Sequence, residues 1–567
     1  MTLTPRQAAV RSLAAKATTG ERVSIPEESI TETYGAFVFN EAAQRKFLPG
    51  NVFKKLRRTI NQGETLDPSI ADSVANAMKN WAVSHGATHY SHWFQPMTGS
   101  TAEKQDSFIT PTGTGTAILE FSGKELTQGE PDASSLPSGG IRVTFEARGY
   151  TAWDPLSPAF LRHSPNGVTL TIPTAFCFWT GDALDTKTPL LRSNAALDVQ
   201  ARRVLDLISE PGEAPVERVY TNVGAEQEFF LIDRELFYLR PDLMACGRTL
   251  FGAAPPKGQE QDDHYFATAP GRVMAFMQDL ERRLWQLGIP IKTRHNEVAP
   301  AQYEMAPIFE SVTVACDHNM LMMDLLHEVA RVHGLKCLLH EKPYRGLNGS
   351  GKHNNYSVGT DQGHNLLDPG TNPHDNLRFM IFLTALIAAV DKHQDLLRST
   401  VASAGNDHRL GAHEAPPAII SIFMGSDLQG VIEALISGSD QAKLEGGKLH
   451  LGVSSLPYLP RDTTDRNRTS PFAFTGNKFE FRAPGSSQSL AYPNYVLNTI
   501  LAESLEIMAE QIEALPGAER KSGGVQNIIR KTLTQHQRIL FPGDNYADAW
   551  TAEAEKRGLL NLRDTPS

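Results

Sequence analysis

The chain has 567 residues, more than one hydrophobic core usually serves, so two or more domains are expected. Its 40% hydrophobic and 21% charged content is that of an ordinary globular protein, and a net charge of −10 argues against a generic nucleic-acid surface. The opening MTLTPRQAAV lacks a signal peptide's apolar core, and the most apolar run, Phe379 to Val390, is too short to cross a bilayer. A cytoplasmic location with no membrane or nucleic-acid partner is therefore expected. Cys177, Cys246, Cys316 and Cys337 have no paired spacing, which disfavours a disulfide framework or a thiolate zinc site.

Residues 1–85 carry helical patterns, at Glu41 to Arg58 and Pro68 to His85, and no chemistry. The basic residues between Arg45 and Arg58 read as a solvated face or a subunit contact. From 86 to 160 the texture turns to short β-like runs, at Thr116 to Phe121 and Gly140 to Phe145. A polar turn, Gly129 to Ser135, lies between them and is by itself only a loop. The remainder, 161–567, reads as one larger unit, beginning with a helix and linker that break at Glu210 to Pro215.

The stretch Gly224 to Ile232 is apolar enough for a strand yet carries Glu226 and Glu228, which alternation places on the same face. Such a pair destabilises a strand unless water or a cation reaches both. A helix is predicted from Arg272 to Leu287, with Pro270 before it and Gly288 at its end. Glu297 and Glu304 follow; seven positions apart, they would face opposite ways on a straight strand. They converge only if the chain turns between them, and Pro300 is the expected place. An apolar helix from Ser311 to His333 then covers the sheet.

Next comes a glycine-rich stretch from Lys342 to Ser357, in which Asn348 and Gly349 precede an alternating run that puts His353, Asn355 and Ser357 on one face. It lacks the spacing of a Walker A loop. A third polar face is formed by Lys478, Glu480 and Arg482, with Phe479 and Phe481 opposite. Three strands presenting acids, imidazole and cations on one side suggest a curved sheet whose concave side holds divalent ions and phosphates.

In order, the Glu-x-Glu, Glu-Val-x-Pro-x-Gln-x-Glu, Asn-Gly-Ser-Gly-x-His and Phe-Glu-Phe-Arg segments resemble glutamine synthetase. Gly-Glu-Pro-Asp-Ala-Ser-Ser and Gly-Lys-His-Asn-Asn-Tyr-Ser look like its type III branch, and the likeness runs from about Tyr34 to Leu562. The resemblance implies an α+β protein: a small β-grasp domain and a large catalytic domain whose antiparallel half-barrel sheet is flanked by helices. It implies a dodecamer of two hexameric rings with active sites shared between neighbours.

It also implies ATP-dependent joining of ammonium to glutamate, with ATP and two or more Mg2+ or Mn2+ ions per site. Carried over by residue, Glu228, Glu297 and Glu304 match one metal site, and Glu226, His353 and Glu480 the other. Asn355, Ser357 and Lys478 fall where nucleotide binds, and Asn348 and Gly349 where glutamate binds. Arg409 resembles the arginine that holds the glutamate carboxylate; Arg398 is the alternative, and Arg409 is preferred because it adjoins Glu414. Glu414 matches a flap glutamate, Arg468 and Arg482 the arginines facing the transferred phosphoryl group, and Asp132 and Ser135 an ammonium-binding loop given by a neighbouring subunit.

Three departures accompany the resemblance. Ala473 stands where other branches carry a second arginine, no adenylylation loop is recognisable, and the chain stops at Ser567 where type III members usually continue with further helices. A ligase for organic amines and a catalytically silent assembly partner are the competing expectations.

Overall fold

The computed structural model describes residues 3–16, 29–97, 101–129, 149–165, 167–254, 257–412, 415–438, 448–449, 459–460, 469–520 and 523–567. Two β-sheets organise them, each with one apolar face packed on helices.

The first sheet is built on Ala87–Phe94, which pairs antiparallel with Ala102–Ser107 and parallel with Gly167–Phe178. Gly149–Trp153 and Phe160–Ser164 also pair antiparallel with Gly167–Phe178, so the sheet runs on past position 160, where the change of sequence texture suggested a boundary. The reason is topological: the last strand returns to the middle of the sheet rather than to its edge. Trp81, Val74 and Met78 of the helix Ala71–Ser84 cover this sheet together with Leu161, Leu170 and Ile172. The helical pattern expected from Glu41 to Arg58 is two helices, Glu41–Phe47 and Gly50–Gln62, because Pro49 cannot continue the first. The run Gly140 to Phe145 and the Asp132–Ser135 turn lie outside the described residues.

The second sheet has the strand order Ile291–Asn296, Gln302–Pro307, Val219–Asp233, Lys352–Thr360, Phe479–Phe481, Phe472–Phe474 and Ile422–Phe423, all antiparallel except the last pair. Its long central strand also pairs with Glu310–Ser311 and Leu335–Leu338. The sheet curls into a half-barrel because its convex side is apolar. Tyr356, Val358, Phe472, Phe474, Phe479 and Phe481 pack on the helices Lys187–Ile208, Leu377–Lys392 and Ala491–Glu513. Phe229, Leu231, Tyr303 and Met305 pack on Gly271–Gln286 and Val312–Val332. Among the described residues no helix is long and apolar enough to cross a membrane.

A buried ion cluster joins the two sheets. Lys187 Nζ lies 2.9 Å from Asp154 and 2.6 Å from Asp317, and donates to Ser157 Oγ at 3.2 Å. Burial opposes its charge, yet the two carboxylates hold it above the ordinary lysine range. Removing one side of such a cluster strands the other in a medium that cannot solvate it. Lys187→Met is expected to cost about 3–5 kcal/mol, read as a large fall in unfolding temperature, because two buried carboxylates lose their cation.

Candidate active site

The concave face of the half-barrel carries its polar side chains in two cross-strand rows. In one, His295 lies directly opposite Glu304, and Glu304 opposite Glu228. In the next, Glu226 lies opposite His353, while Asn355 pairs with both Gly224 and Glu480. Directly opposed side chains of adjacent strands are about 5 Å apart, so Glu304 and Glu228 would repel unless a positive charge sits between or beside them. The hairpin turn at 297–301 brings Glu297 back to the side of Glu304, through Ala301 in a left-handed conformation at φ 63°. Convergence by a turn near Pro300 is thus realised.

These residues line a cavity of about 660 Å³. Two groups of donors stand in it, each with its ligand atoms within 4.8 Å of one another: Glu226, His353 and Glu480, and His295, Glu297 and Glu304. In the first, His353 Nδ1 is 3.0 Å from Glu226 and 3.1 Å from Glu480, and Asn355 Nδ2 donates to Glu226 at 2.9 Å. Arg482 donates to the far oxygen of Glu480 at 3.0 Å. Burial works against the charges, but the imidazole's hydrogen bonds hold Glu226 and Glu480 below the usual carboxylate range and raise His353 well above its own. In the second, His295 Nε2 lies 2.9 Å from Glu304, and that contact raises the imidazole to about 9. Glu228 stands between the groups. It accepts from the Gly351 amide at 2.6 Å, and burial pushes it up to about 7.

Mixed carboxylate oxygen and imidazole nitrogen donors, partly buried and close together, suit divalent cations, so the residues present fit a two-ion centre.

The glycine-rich loop closes one end of the cavity. A Cβ at Gly349 would lie 2.3 Å from the Glu341 carbonyl, and one at Gly351 2.1 Å from Arg409 Nη2, so only glycine fits at either position. Asn348 is held on two sides by Gln259, which donates to its side-chain oxygen at 2.7 Å and accepts from its backbone amide at 2.9 Å. Its amide nitrogen has no partner among the described residues. The segment of Gln259 also reaches the Glu297 hairpin: the His264 ring hydrogen-bonds the Glu297 carbonyl at 2.6 Å, and Asn296 donates to the His264 carbonyl at 2.9 Å.

Residues 30–193 match the family described as Glutamine synthetase type III N terminal, 200–420 the Glutamine synthetase catalytic domain, and 524–567 the Glutamine synthetase C-terminal domain. A Type-3 glutamine synthetase of Dictyostelium discoideum is 54% identical over 96% of this chain and 74% of its own. The chain belongs to the type III glutamine synthetase family. A glutamine synthetase of Bacteroides fragilis is 48% identical over 96% of this chain and 74% of its own, and one of Butyrivibrio fibrisolvens 42% over 96% and 76%.

Of the residues singled out from the resemblance to glutamine synthetase, Glu226, Glu228, Glu297, Glu304, Gly349, His353, Asn355, Ser357, Lys478, Glu480 and Arg482 all line the one cavity. Asn348 is buried behind it. Arg409 is only 1% exposed and gives its guanidinium to the carbonyls of Arg482, Ala483 and Pro484 and to Asn406, so the structure does not bring it to the cavity wall. Arg398 is also spent elsewhere, on the Leu562 carbonyl and Asp407. Asp132, Ser135, Glu414 and Arg468 lie outside the described residues.

The cavity and the loops around it contain groups that the sequence reading did not single out. His295 stands two residues before Glu297, a spacing that was itself a signal. Gln259 and His264 sit in a loop with no periodicity to mark them. Tyr220, Tyr265, Phe309 and His364 also line the wall, and Phe309 is 63% exposed.

Behind His353, Lys352 is fully buried, donating to Asn319 Oδ1 at 2.9 Å and to the Gln488 carbonyl. Burial pushes it down from 10.5 to about 7. Between those values the unfolded chain holds the proton and the folded one does not, so stability rises with pH across that window. Wild-type protein is expected to gain on the order of 2 kcal/mol from pH 7 to 9 through this group, and Lys352→Met to lack that gain, by denaturation at the two pH values.

Proposed function

We infer that the protein is a glutamate–ammonia ligase, making glutamine from glutamate, ammonia and ATP. The observation that carries this reading is the pair of donor groups facing each other across one half-barrel, beside the cations Arg482 and Lys478. A carboxylate is a poor acyl donor, because its oxygen leaves badly. Transfer of the γ-phosphoryl group of ATP to the glutamate side chain gives an acyl phosphate and ADP. Ammonia then attacks the acyl carbon, phosphate leaves, and an amide remains.

Divalent ions, when bound, neutralise and align the phosphate oxygens. Glu226, His353 and Glu480 form one proposed ion site, and Glu228, Glu297 and Glu304 the other. Arg482, held against Glu480, supplies positive charge where the phosphoryl group passes, and Arg468 is proposed to do the same. Asn355, Ser357 and Lys478, with the aromatic rim of Phe309 and Tyr220, suit a nucleotide. Asn348 and Gly349 are proposed to bind glutamate, Gln259 leaving the Asn348 amide nitrogen as a donor.

The loop of Asp132 and Ser135 is proposed to bind ammonium, with Asp132 taking its proton, and Glu414 to accept a later proton and shield the acyl phosphate from water. Arg409 would act on the glutamate carboxylate only if its guanidinium left the carbonyls it now serves. We also propose two stacked hexameric rings, Mg2+ or Mn2+ as the ion, a cytoplasmic location, and a division into helical residues 1–85, a domain of the first sheet that runs from 86 past 160 through Gly167–Phe178, and a larger unit after it.

Glutamine formation from glutamate, ammonium and ATP is expected in the wild type, and a loss of at least about 100-fold in Glu297→Ala. Wild-type protein that is inactive with ammonium but joins organic amines to glutamate would replace this reading with the amine ligase. No product with either, from protein that binds ATP, would favour the silent partner.

A further inference from the structure

We propose that Gln259 is a positioning residue that fixes the polarity of the Asn348 side-chain amide, so that its NH2 group meets a carboxylate oxygen of glutamate. The proposal rests on the reading that this cavity binds glutamate, and it names what Asn348 presents to the substrate and what makes it do so.

The hydrogen bonds leave one arrangement. The Asn348 backbone N–H can only donate, so the Gln259 atom 2.9 Å from it is the oxygen, Oε1. Gln259 Nε2 is then the atom 2.7 Å from the Asn348 side chain, and because Nε2 can only donate, it meets Oδ1. Asn348 Nδ2 is left over, with no acceptor among the described residues. Asn348 is 2% exposed, and a buried NH2 group is costly until something supplies an acceptor.

The backbone around Asn348 is pinned, so its side-chain amide is the part that can still turn. Lys342 Nζ donates to the Leu347 carbonyl, Gln302 Nε2 to the Gly349 carbonyl at 3.0 Å, and the Ser350 amide to the Glu341 carbonyl at 2.8 Å. Gly349, the next residue, lines the cavity.

Gln259 is held in turn by its own segment. That segment passes through Gln261 and Asp262, at φ 58° and 51°, a left-handed pair of non-glycine residues that persists where the surroundings hold it. Beyond the turn the His264 ring bonds the Glu297 carbonyl at 2.6 Å, and Asn296 donates to the carbonyls of His264 and Ala267 at 2.9 and 3.0 Å. A strap anchored at its far end thus keeps Gln259 against Asn348. The ammonium group of glutamate has no lone pair to accept with, so the acceptor that suits Nδ2 is a carboxylate. An Asn348 amide turned over would present Oδ1 and repel it.

The test is steady-state kinetics of two variants at Gln259. Gln259→Glu keeps the shape but carries two acceptors and no donor, so it holds the Asn348 N–H, draws Nδ2 to itself and turns Oδ1 toward substrate. Gln259→Ala leaves the Asn348 amide free to take either orientation. The KM for glutamate is expected to rise about tenfold or more in Gln259→Glu and by less in Gln259→Ala, with the KM for ATP within about threefold in both. A residue that only braces the loop gives the reverse order, because alanine removes more contacts. In an Asn348→Ala background, Gln259→Glu should add no more than about twofold, which separates the turned amide from the added charge.

Wild-type protein that makes glutamine, with Gln259→Ala the worse variant or with the full effect of Gln259→Glu surviving in Asn348→Ala, would overturn the proposal and leave the functional reading standing. If the wild type makes no glutamine, calorimetric affinity for glutamate replaces KM with the same order expected; a wild type that binds no glutamate overturns both. Should Gln259→Glu fail to fold, Gln259→Ala decides: a glutamate KM within about twofold of wild type contradicts the proposal.

Discussion

Repulsion between carboxylates on one sheet face is the constraint on which the rest of this structure depends. Glu226 and Glu228 share a face of the central strand, Glu304 lies directly across from Glu228, and Glu480 reaches the same cavity from two strands away. Four acids in so small a space are tolerated because cationic groups are interleaved with them: His353 between Glu226 and Glu480, His295 against Glu304, Arg482 against Glu480. An apolar convex side lets the sheet bear that cost. Every strand that gives a ligand to the cavity gives an aromatic or aliphatic side chain to the helices behind it, so the burial that stabilises the domain also fixes the ligands.

Buried basic side chains support this arrangement from outside the cavity. Lys352 anchors the His353 strand to the helix Val312–Val332, Arg409 ties the segment of Asn406 to the chain after Glu480, and Lys187 joins the two sheets. Each is almost fully enclosed and donates to carbonyls, amides or carboxylates. The segment of Gln259 and His264 links what the functional reading treats as the glutamate and metal subsites, touching Asn348 with one residue and Glu297 with the other. Its residues Gln261 and Asp262 both adopt positive φ, a strained conformation found where surroundings demand it.

Much of the site was legible because strands alternate. That period alone puts Glu226 with Glu228, His353 with Asn355 and Ser357, and Glu480 apart from Phe479 and Phe481. The helices Gly271–Gln286 and Val312–Val332 lie within two residues of the ranges expected from their apolar spacing and end signals. What alternation cannot convey is cross-strand register, and His295 belongs to the site only because it lies opposite Glu304. Burial of Arg409 is equally invisible, since its partners are carbonyls more than 70 residues away. Gln259 and His264 act from an irregular loop, where no period marks a functional face.

Counting bound ions tests the central claim most directly. Equilibrium dialysis of the purified chain against Mn2+, without nucleotide, is predicted to reach two tightly held ions per chain, one for each donor group. Their removal by chelator should lower the unfolding temperature, since ions that bind only the folded state stabilise it. Fewer than two tight ions, or an unfolding temperature indifferent to the chelator, would contradict the view that this sheet is built to hold carboxylates around metal.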